Sequence, residues 1–197
     1  SREHAIWSDA RGWLHVAGGK LTTMRSMAEE VVDRAIEMLR DRGLEGALRA
    51  CQTRVRLLPG AGKAKLGSLA LAPDIEAHLN ETYGARVDRV LALVAADASL
   101  GRRLDPELPH LAAELVLAIR SDLACEVEDV LRRRVPLALF SRTQGLDVGE
   151  ETANLLAAER GWSEQRRAQS LLQYRTAVSA SRMWRPPPDR AGTTSAE

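Results

Sequence analysis

Apolar side chains return at three- and four-residue steps through Leu21, Met24, Met27, Ala28, Val31, Val32, Ala35, Ile36 and Leu39. That is the repeat of a helix with one apolar face, and it predicts a long amphipathic helix ending near Gly43. The stretch before it has a different rhythm. His4-Ala5-Ile6-Trp7 and Trp13-Leu14-His15-Val16-Ala17 are short apolar runs separated by Asp9-Ala10-Arg11-Gly12, which reads as two strands joined by a tight turn. Two strands do not hold a sheet by themselves. They need partner strands from further upstream, and Ser1-Arg2-Glu3-His4 reads as the interior of a longer chain.

Residues 44–73 show neither period. Pro59-Gly60-Ala61-Gly62 marks a loop and Pro73 closes the stretch, so it is the expected linker between a first segment, 1–43, and a second domain, 74–185. In that second domain every strong pattern is helical: Asp74 to Asn80, Val87 to Ala96, Leu111 to Ile119, Glu126 to Arg134, Val148 to Arg160, and Ser163 to about Arg182. Ser163 stands where its hydroxyl can accept an orphan N–H of the last helix. The fold class expected is mainly α, with five or six helices in the C-terminal domain. The tail 186–197, opening with Pro186-Pro187-Pro188, has the composition of a disordered segment.

Composition narrows the function classes. The 197 residues are 45% apolar and 28% charged, with 28 basic against 27 acidic side chains, which suits one globular domain with an appendage or two small ones. With the charges nearly cancelling, no whole-chain field steers it onto nucleic acid. Apolar runs such as Leu69 to Pro73 and Ala92 to Ala96 fall far short of the roughly 20 residues a spanning helix needs. Cys51 and Cys125 lack the spacing of a zinc site or a disulfide framework, and a reducing cytoplasm is the simplest expectation. His4, His15, His78 and His110 have no metal-ligand partners at helical spacing, so no metal is expected.

The segment richest in possible chemistry is Ala17-Gly18-Gly19-Lys20-Leu21-Thr22-Thr23-Met24-Arg25, a strand, two glycines, a lysine and two threonines, then a helix. Glycines allow close backbone approach, and the free N–H groups of a helix start favour negative charge. Lys20 adds a full positive charge beside them. A plain glycine turn with Thr22 or Thr23 as helix cap explains the same pattern, and on pattern alone both readings stay open. Two nucleotide motifs are absent. Lys20 and Lys63 lack the glycine and hydroxyl neighbours of a phosphate-binding Walker loop, and no G-x-G-x-x-G follows a strand. The cluster Arg132-Arg133-Arg134, with Arg120 and Arg142 nearby, is a docking surface or a solvated helix end. Glu126, Glu128 and Asp129 at the opposite end favour the solvated helix, its charges complementing the dipole.

Taken together, Ser1-Arg2-Glu3-His4 and Gly12-Trp13-Leu14-His15-Val16-Ala17-Gly18-Gly19-Lys20-Leu21-Thr22-Thr23-Met24-Arg25-Ser26-Met27-Ala28-Glu29-Glu30 resemble the end of the flavin domain in FAD-dependent glycerol-3-phosphate dehydrogenases. Leu79-Asn80-Glu81-Thr82-Tyr83-Gly84, Glu126 to Arg134, Leu137-Ala138-Leu139-Phe140 and Arg160-Gly161-Trp162 resemble the helical C-terminal domain of the same family. The resemblance implies an FAD-binding α/β domain ending in residues 1–43. It also implies oxidation of sn-glycerol 3-phosphate to dihydroxyacetone phosphate by hydride transfer to FAD, with quinone as electron acceptor. Gly18, Gly19, Lys20, Leu21, Thr22 and Thr23 are then expected along the flavin, Arg2 on the substrate phosphate, and Lys20 facing substrate and flavin together. The chain alone is expected to be inactive, and the parent to be cytoplasmic or peripheral on the inner face of the membrane. Two positions depart from the family: Met24 stands where tyrosine is usual, and Val135 where threonine is. Other readings are an oxidase using oxygen, and a freestanding helical domain that forms a homodimer or docks other proteins.

Overall fold

The computed structural model describes residues 3–43, 45–46, 49–62 and 71–183. The chain divides into two compact units, Ser1–Pro59 and Gly60–Glu197, the division falling inside the stretch 44–73. It is mainly helical.

In the first unit β1 (His4–Ser8) and β2 (Leu14–Gly18) pair antiparallel, with Ile6 opposite Val16 and Trp7 opposite His15. Asp9 builds the connection. Its carboxylate accepts the N–H groups of Arg11 and Trp13 at 3.0 and 3.1 Å and the Arg11 guanidinium at 2.9 Å. The Trp13 N–H leads in holding this carboxyl down to about 2, helped by Arg11 and His15. The long helix α1 (Met24–Arg40) follows a single 3₁₀ turn, Leu21–Thr23, and packs against β2. The predicted amphipathic helix is therefore present. Its apolar face is only half covered: no residue of α1 is fully buried, and Met24, Val32 and Leu39 stay exposed with Trp7, Trp13 and Val16 of the hairpin.

The second unit is built from α2 (Pro73–Tyr83), α3 (Val87–Ala96), α4 (Ala112–Ser121), α5 (Leu137–Phe140), α6 (Gly149–Arg160) and α7 (Glu164–Ser181). Pro73 begins α2 at a position where its missing N–H costs nothing. Gly161 ends α6 with φ +64°, and the Trp162 N–H returns to the Ala157 carbonyl at 3.0 Å. Ser163 caps α7 as anticipated, its hydroxyl accepting the Arg166 N–H at 3.3 Å. α4 is the central element, with its residues from Ala112 to Ile119 all buried. One side of it closes a cluster with α2 and α3 through Leu79, Val87, Val90 and Leu117. The other closes a larger cluster with α6 and α7 through Leu115, Leu131, Leu156 and Tyr174.

Glu114 sits in this core at 1% exposure. It is tolerated because three donors reach it: the Leu111 N–H at 2.6 Å, the Tyr83 hydroxyl at 2.9 Å and His78 Nε2 at 2.9 Å. Burial pushes the Tyr83 phenol well above its usual range, and the Glu114 charge adds to the effect.

One expected helix differs. Glu126 to Arg134 is not a uniform α-helix but widens into a π turn over Asp129–Arg134, the Val135 N–H reaching back five residues to the Val130 carbonyl at 2.8 Å. Pro136 explains the stop, since the residue before a proline is driven out of the α region, and Val135 has φ −120° and ψ +84°. At four residues α5 is too short to show a period in the sequence. The arginines behave as a solvated, paired face: Arg132 with Glu128 at 3.1 Å and Arg133 with Asp129 at 2.7 Å, while Arg134 donates to the Asp122 carbonyl at 2.8 Å.

Candidate functional site

The corner between β2 and α1 requires two left-handed residues in succession. Gly18 has φ +80° and Gly19 φ +86°, conformations that only glycine adopts without strain. Space enforces the same choice. A Cβ on Gly18 would stand 2.5 Å from the Glu3 carbonyl oxygen, and one on Gly19 2.4 Å from Met27 Sδ. The glycines are thus first of all what lets the start of β1, the end of β2 and α1 meet, with the Gly19 N–H bonded to the Glu3 carbonyl at 3.1 Å.

Lys20 is extended and exposed, and no side chain caps the 3₁₀ turn that follows. Thr23 does not act as the cap that a plain turn would use. Its hydroxyl donates to the Lys20 carbonyl at 3.0 Å, and no side-chain cap bond closes the start of α1. The helix start keeps its partial positive charge, next to a lysine.

The six residues singled out from the sequence fall on two adjoining grooves. Gly18, Gly19, Lys20 and Leu21 line one of about 440 Å³, floored by Val16, Met24, Met27, Ala28 and Val31. Leu21, Thr22 and Thr23 line another of about 450 Å³, together with Arg25, Glu29 and Thr53. Leu21 forms the ridge between them and is 85% exposed. Met24 lines both grooves and brings its thioether to them. Arg2 lies outside the described residues.

Two side chains, Arg25 and His4, tie this corner to segments distant in sequence. Arg25 lines the second groove and binds the segment after α1, its Nε donating to Thr53 Oγ1 at 2.8 Å and its Nη2 to the Arg56 carbonyl at 2.7 Å. His4 pairs with Glu30 of α1, Nε2 to Oε2 at 2.8 Å. Their partners lie 28, 31 and 26 residues away, separations at which no local spacing gives a signal. Among the described residues no group of three or more His, Cys, Asp or Glu side chains could hold a metal ion, and no helix is long and apolar enough to cross a membrane.

Comparison with known proteins gives this corner its context. Residues 51–167 match the family model described as the C-terminal domain of alpha-glycerophosphate oxidase. The chain is 33% identical over 189 residues to a probable mitochondrial glycerol-3-phosphate dehydrogenase of Caenorhabditis elegans, covering 90% of this chain and 26% of that protein. It is 30% identical over 187 residues to a glycerol-3-phosphate dehydrogenase of Synechocystis, covering 88% and 33%. It is also 30% identical over 197 residues to glycerol-3-phosphate dehydrogenase 2 of Mycobacterium bovis, covering 96% and 33%. The chain spans about a quarter to a third of the length of these curated relatives. With more than half of its residues inside the family's C-terminal domain, the chain belongs to the glycerol-3-phosphate oxidase and dehydrogenase family.

Proposed function

We propose that this chain is the C-terminal part of an FAD-dependent enzyme that oxidises sn-glycerol 3-phosphate to dihydroxyacetone phosphate and passes the electrons to quinone. In this reading residues 1–43 end the FAD-binding domain, 44–73 link, and 74–185 form the helical C-terminal domain. The single observation that carries it is the Gly18-Gly19-Lys20 corner, an uncapped helix start beside a lysine at an apolar groove, in a chain of this family.

The residues present fit one edge of a flavin. The groove has an apolar floor for a ring face, and the helix start and Lys20 offer positive charge to an electron-rich edge. FAD, when bound, supplies the hydride acceptor. The chain's own contribution is binding and electrostatics: Gly18 and Gly19 keep the corner narrow, Leu21, Thr22 and Thr23 line the cofactor's side, and Lys20 faces cofactor and substrate. Arg2, outside the described residues, is assigned to the substrate phosphate, which an arginine fork suits. An Arg2→Ala enzyme should then show a strongly raised KM for glycerol 3-phosphate with bound flavin intact, and unchanged kinetics would remove Arg2 from the site.

No dinucleotide fingerprint is present in the sequence, so the chain alone should be inactive and should lose added FAD on gel filtration. Stoichiometric retention would overturn that. Hydrogen peroxide formation by the full-length enzyme would shift the assignment from a quinone-linked dehydrogenase, peripheral on the membrane, to an oxidase. A second reading, a helical interaction domain, draws on the compactness of the second unit by itself. A concentration-dependent dimer of residues 70–185 alone, seen by light scattering across a dilution series, would favour it.

A further inference from the structure

The first helix of the second unit is weakly seated. α2 buries only Ile75, Leu79 and Tyr83, where α4 buries every residue from Ala112 to Ile119. Its polar ties to α4 converge on one atom, Glu114 Oε2, which accepts the His78 Nε2–H and the Tyr83 hydroxyl, each at 2.9 Å. On the other ring nitrogen of His78, Thr82 Oγ1 stands 3.3 Å from Nδ1. The His110 ring lies 4.4 Å from that of His78, with the Phe140 ring of α5 stacked 6.5 Å from it. His110 is buried, and its Nδ1 has no hydrogen-bond partner among the described residues. The remaining charges around this cluster are Asp105, in the loop before α4, and the pair of Arg103 with Asp74, which joins that loop to α2 at 2.7 Å.

His110 is poorly placed to take up a proton where it stands. Both nitrogens of an imidazolium are donors, so Nδ1–H would be buried without an acceptor. Glu114, the buried carboxylate nearby, already accepts three donors. The new charge would also repel any charge on His78, and that push falls on α2. Water reaches the His110 ring once α2 moves off it. We infer that His110 is an acid sensor and α2 the element it releases, so that acidification opens α2 from α4 locally while α6 and α7 stay closed. Burial holds the His110 pKa below its ordinary value near 6.5, His78 acts in the same direction, and Glu114 and Asp105 oppose. An opened His110 regains the ordinary value, so the closed state is favoured at neutral pH and loses ground as the pH falls below 6.5. The release reaches further than α2. Just past its end the Ala85 N–H donates to the Gly60 carbonyl at 3.0 Å, so the point where the chain enters the second unit is freed with it. This device works whatever ligand the first unit takes.

Hydrogen–deuterium exchange of the full chain, corrected for the intrinsic pH dependence of amide exchange, tests this. From about pH 7.5 to about pH 5.5, opening of α2 should rise about tenfold, the value for uptake of one proton by a group that titrates normally only when open. Peptides from α6 and α7 should change by less than about twofold over the same range. In His110→Phe, whose ring keeps its shape but takes no proton, α2 should hold constant to within about twofold. The wild-type chain gives a second readout that needs no variant. Nuclear magnetic resonance of its ring-labelled histidines should show His110 still neutral in the closed state at about pH 5.5, while α2 exchange has already quickened. Exchange of α2 that ignores pH overturns the proposal. So does loosening of α2, α6 and α7 together, which is global unfolding, and so does a His110 ring that titrates in place with α2 still closed. A response that survives in His110→Phe removes His110 as the sensor.

Discussion

Gly18 and Gly161 share a left-handed backbone, yet they answer to different constraints. At Gly161 a Cβ would meet nothing within 4 Å among the described residues, so Gly161→Ala should cost only the conformational penalty, about 1 kcal/mol. At Gly18 the same methyl would collide with a backbone carbonyl, which cannot rotate away as a side chain can. Gly18→Ala should therefore destabilise the first unit by clearly more, on the order of 2–3 kcal/mol, and comparing the two in chemical denaturation checks it. Equal losses would mean that the Glu3 segment yields easily. Glu114 is the second residue with a sharp expectation. Replacing it with alanine leaves the Tyr83 hydroxyl and the Leu111 N–H buried without an acceptor, a loss of about 3 kcal/mol in thermal or urea unfolding. A loss under about 1 kcal/mol would show that water takes over the three bonds.

His110 adds a pH dependence. It is 5% exposed, its Nδ1 has no hydrogen-bond partner among the described residues, and its ring lies 4.4 Å from that of His78. Burial lowers its pKa, with His78 acting in the same direction and the charges of Glu114 and Asp105 opposing. A histidine held neutral in the folded state contributes stability at pH above its ordinary value near 6.5, and that contribution is lost as the pH falls below it, because the unfolded chain takes up the proton first. The melting temperature should therefore drop between pH 7 and pH 5, and less so in His110→Phe. Parallel curves for the two proteins would assign the acid sensitivity elsewhere.

At the scale of elements, what was legible depended on length and locality. The 17 residues of α1 and the 18 of α7 carry enough repeats for the period to show. Pro73, Ser163 and Gly161 mark helix ends with chemistry that acts within a few residues. The π turn and α5 were not legible, because Pro136 and the buried Val135 decide them through i→i−5 bonding and local packing. The junctions between elements were also hidden. Glu126 is joined to α7 by the Arg166 guanidinium and the Ser170 hydroxyl, and Arg160 of α6 closes the end of α4 through the carbonyls of Ile119 and Ala124. These contacts span 36 to 44 residues. They account for the Arg160-Gly161-Trp162 motif: the arginine ends one helix, the glycine turns the next, and the Arg166 guanidinium stacks 4.8 Å above the Trp162 ring.

Over the whole molecule the two units differ in how fully they close. The second has two contiguous apolar clusters that share α4, and residues 60–183 expressed alone should unfold in one cooperative transition with strong helical circular dichroism. A gradual, uncooperative melt would show that it depends on the rest of the protein. The first unit leaves Trp7, Trp13, Val16, Leu21, Val32 and Leu39 exposed, since two strands and one helix offer too little surface to cover them.

Period and turn chemistry in the chain by themselves determine the helical class, the hairpin, the long helix after it and the Gly18-Gly19-Lys20 corner, because each is decided by residues within a few positions of one another. The motif words carry the family for the same reason. Tertiary structure alone decides that both glycines are needed against Glu3 and Met27, that Thr23 does not cap, that Glu114 is a satisfied buried carboxylate, and that His4 is fastened to Glu30. Each of those depends on groups that are distant along the chain, or on a rotamer choice that several local patterns would equally allow, and meets its partner only once the elements have packed.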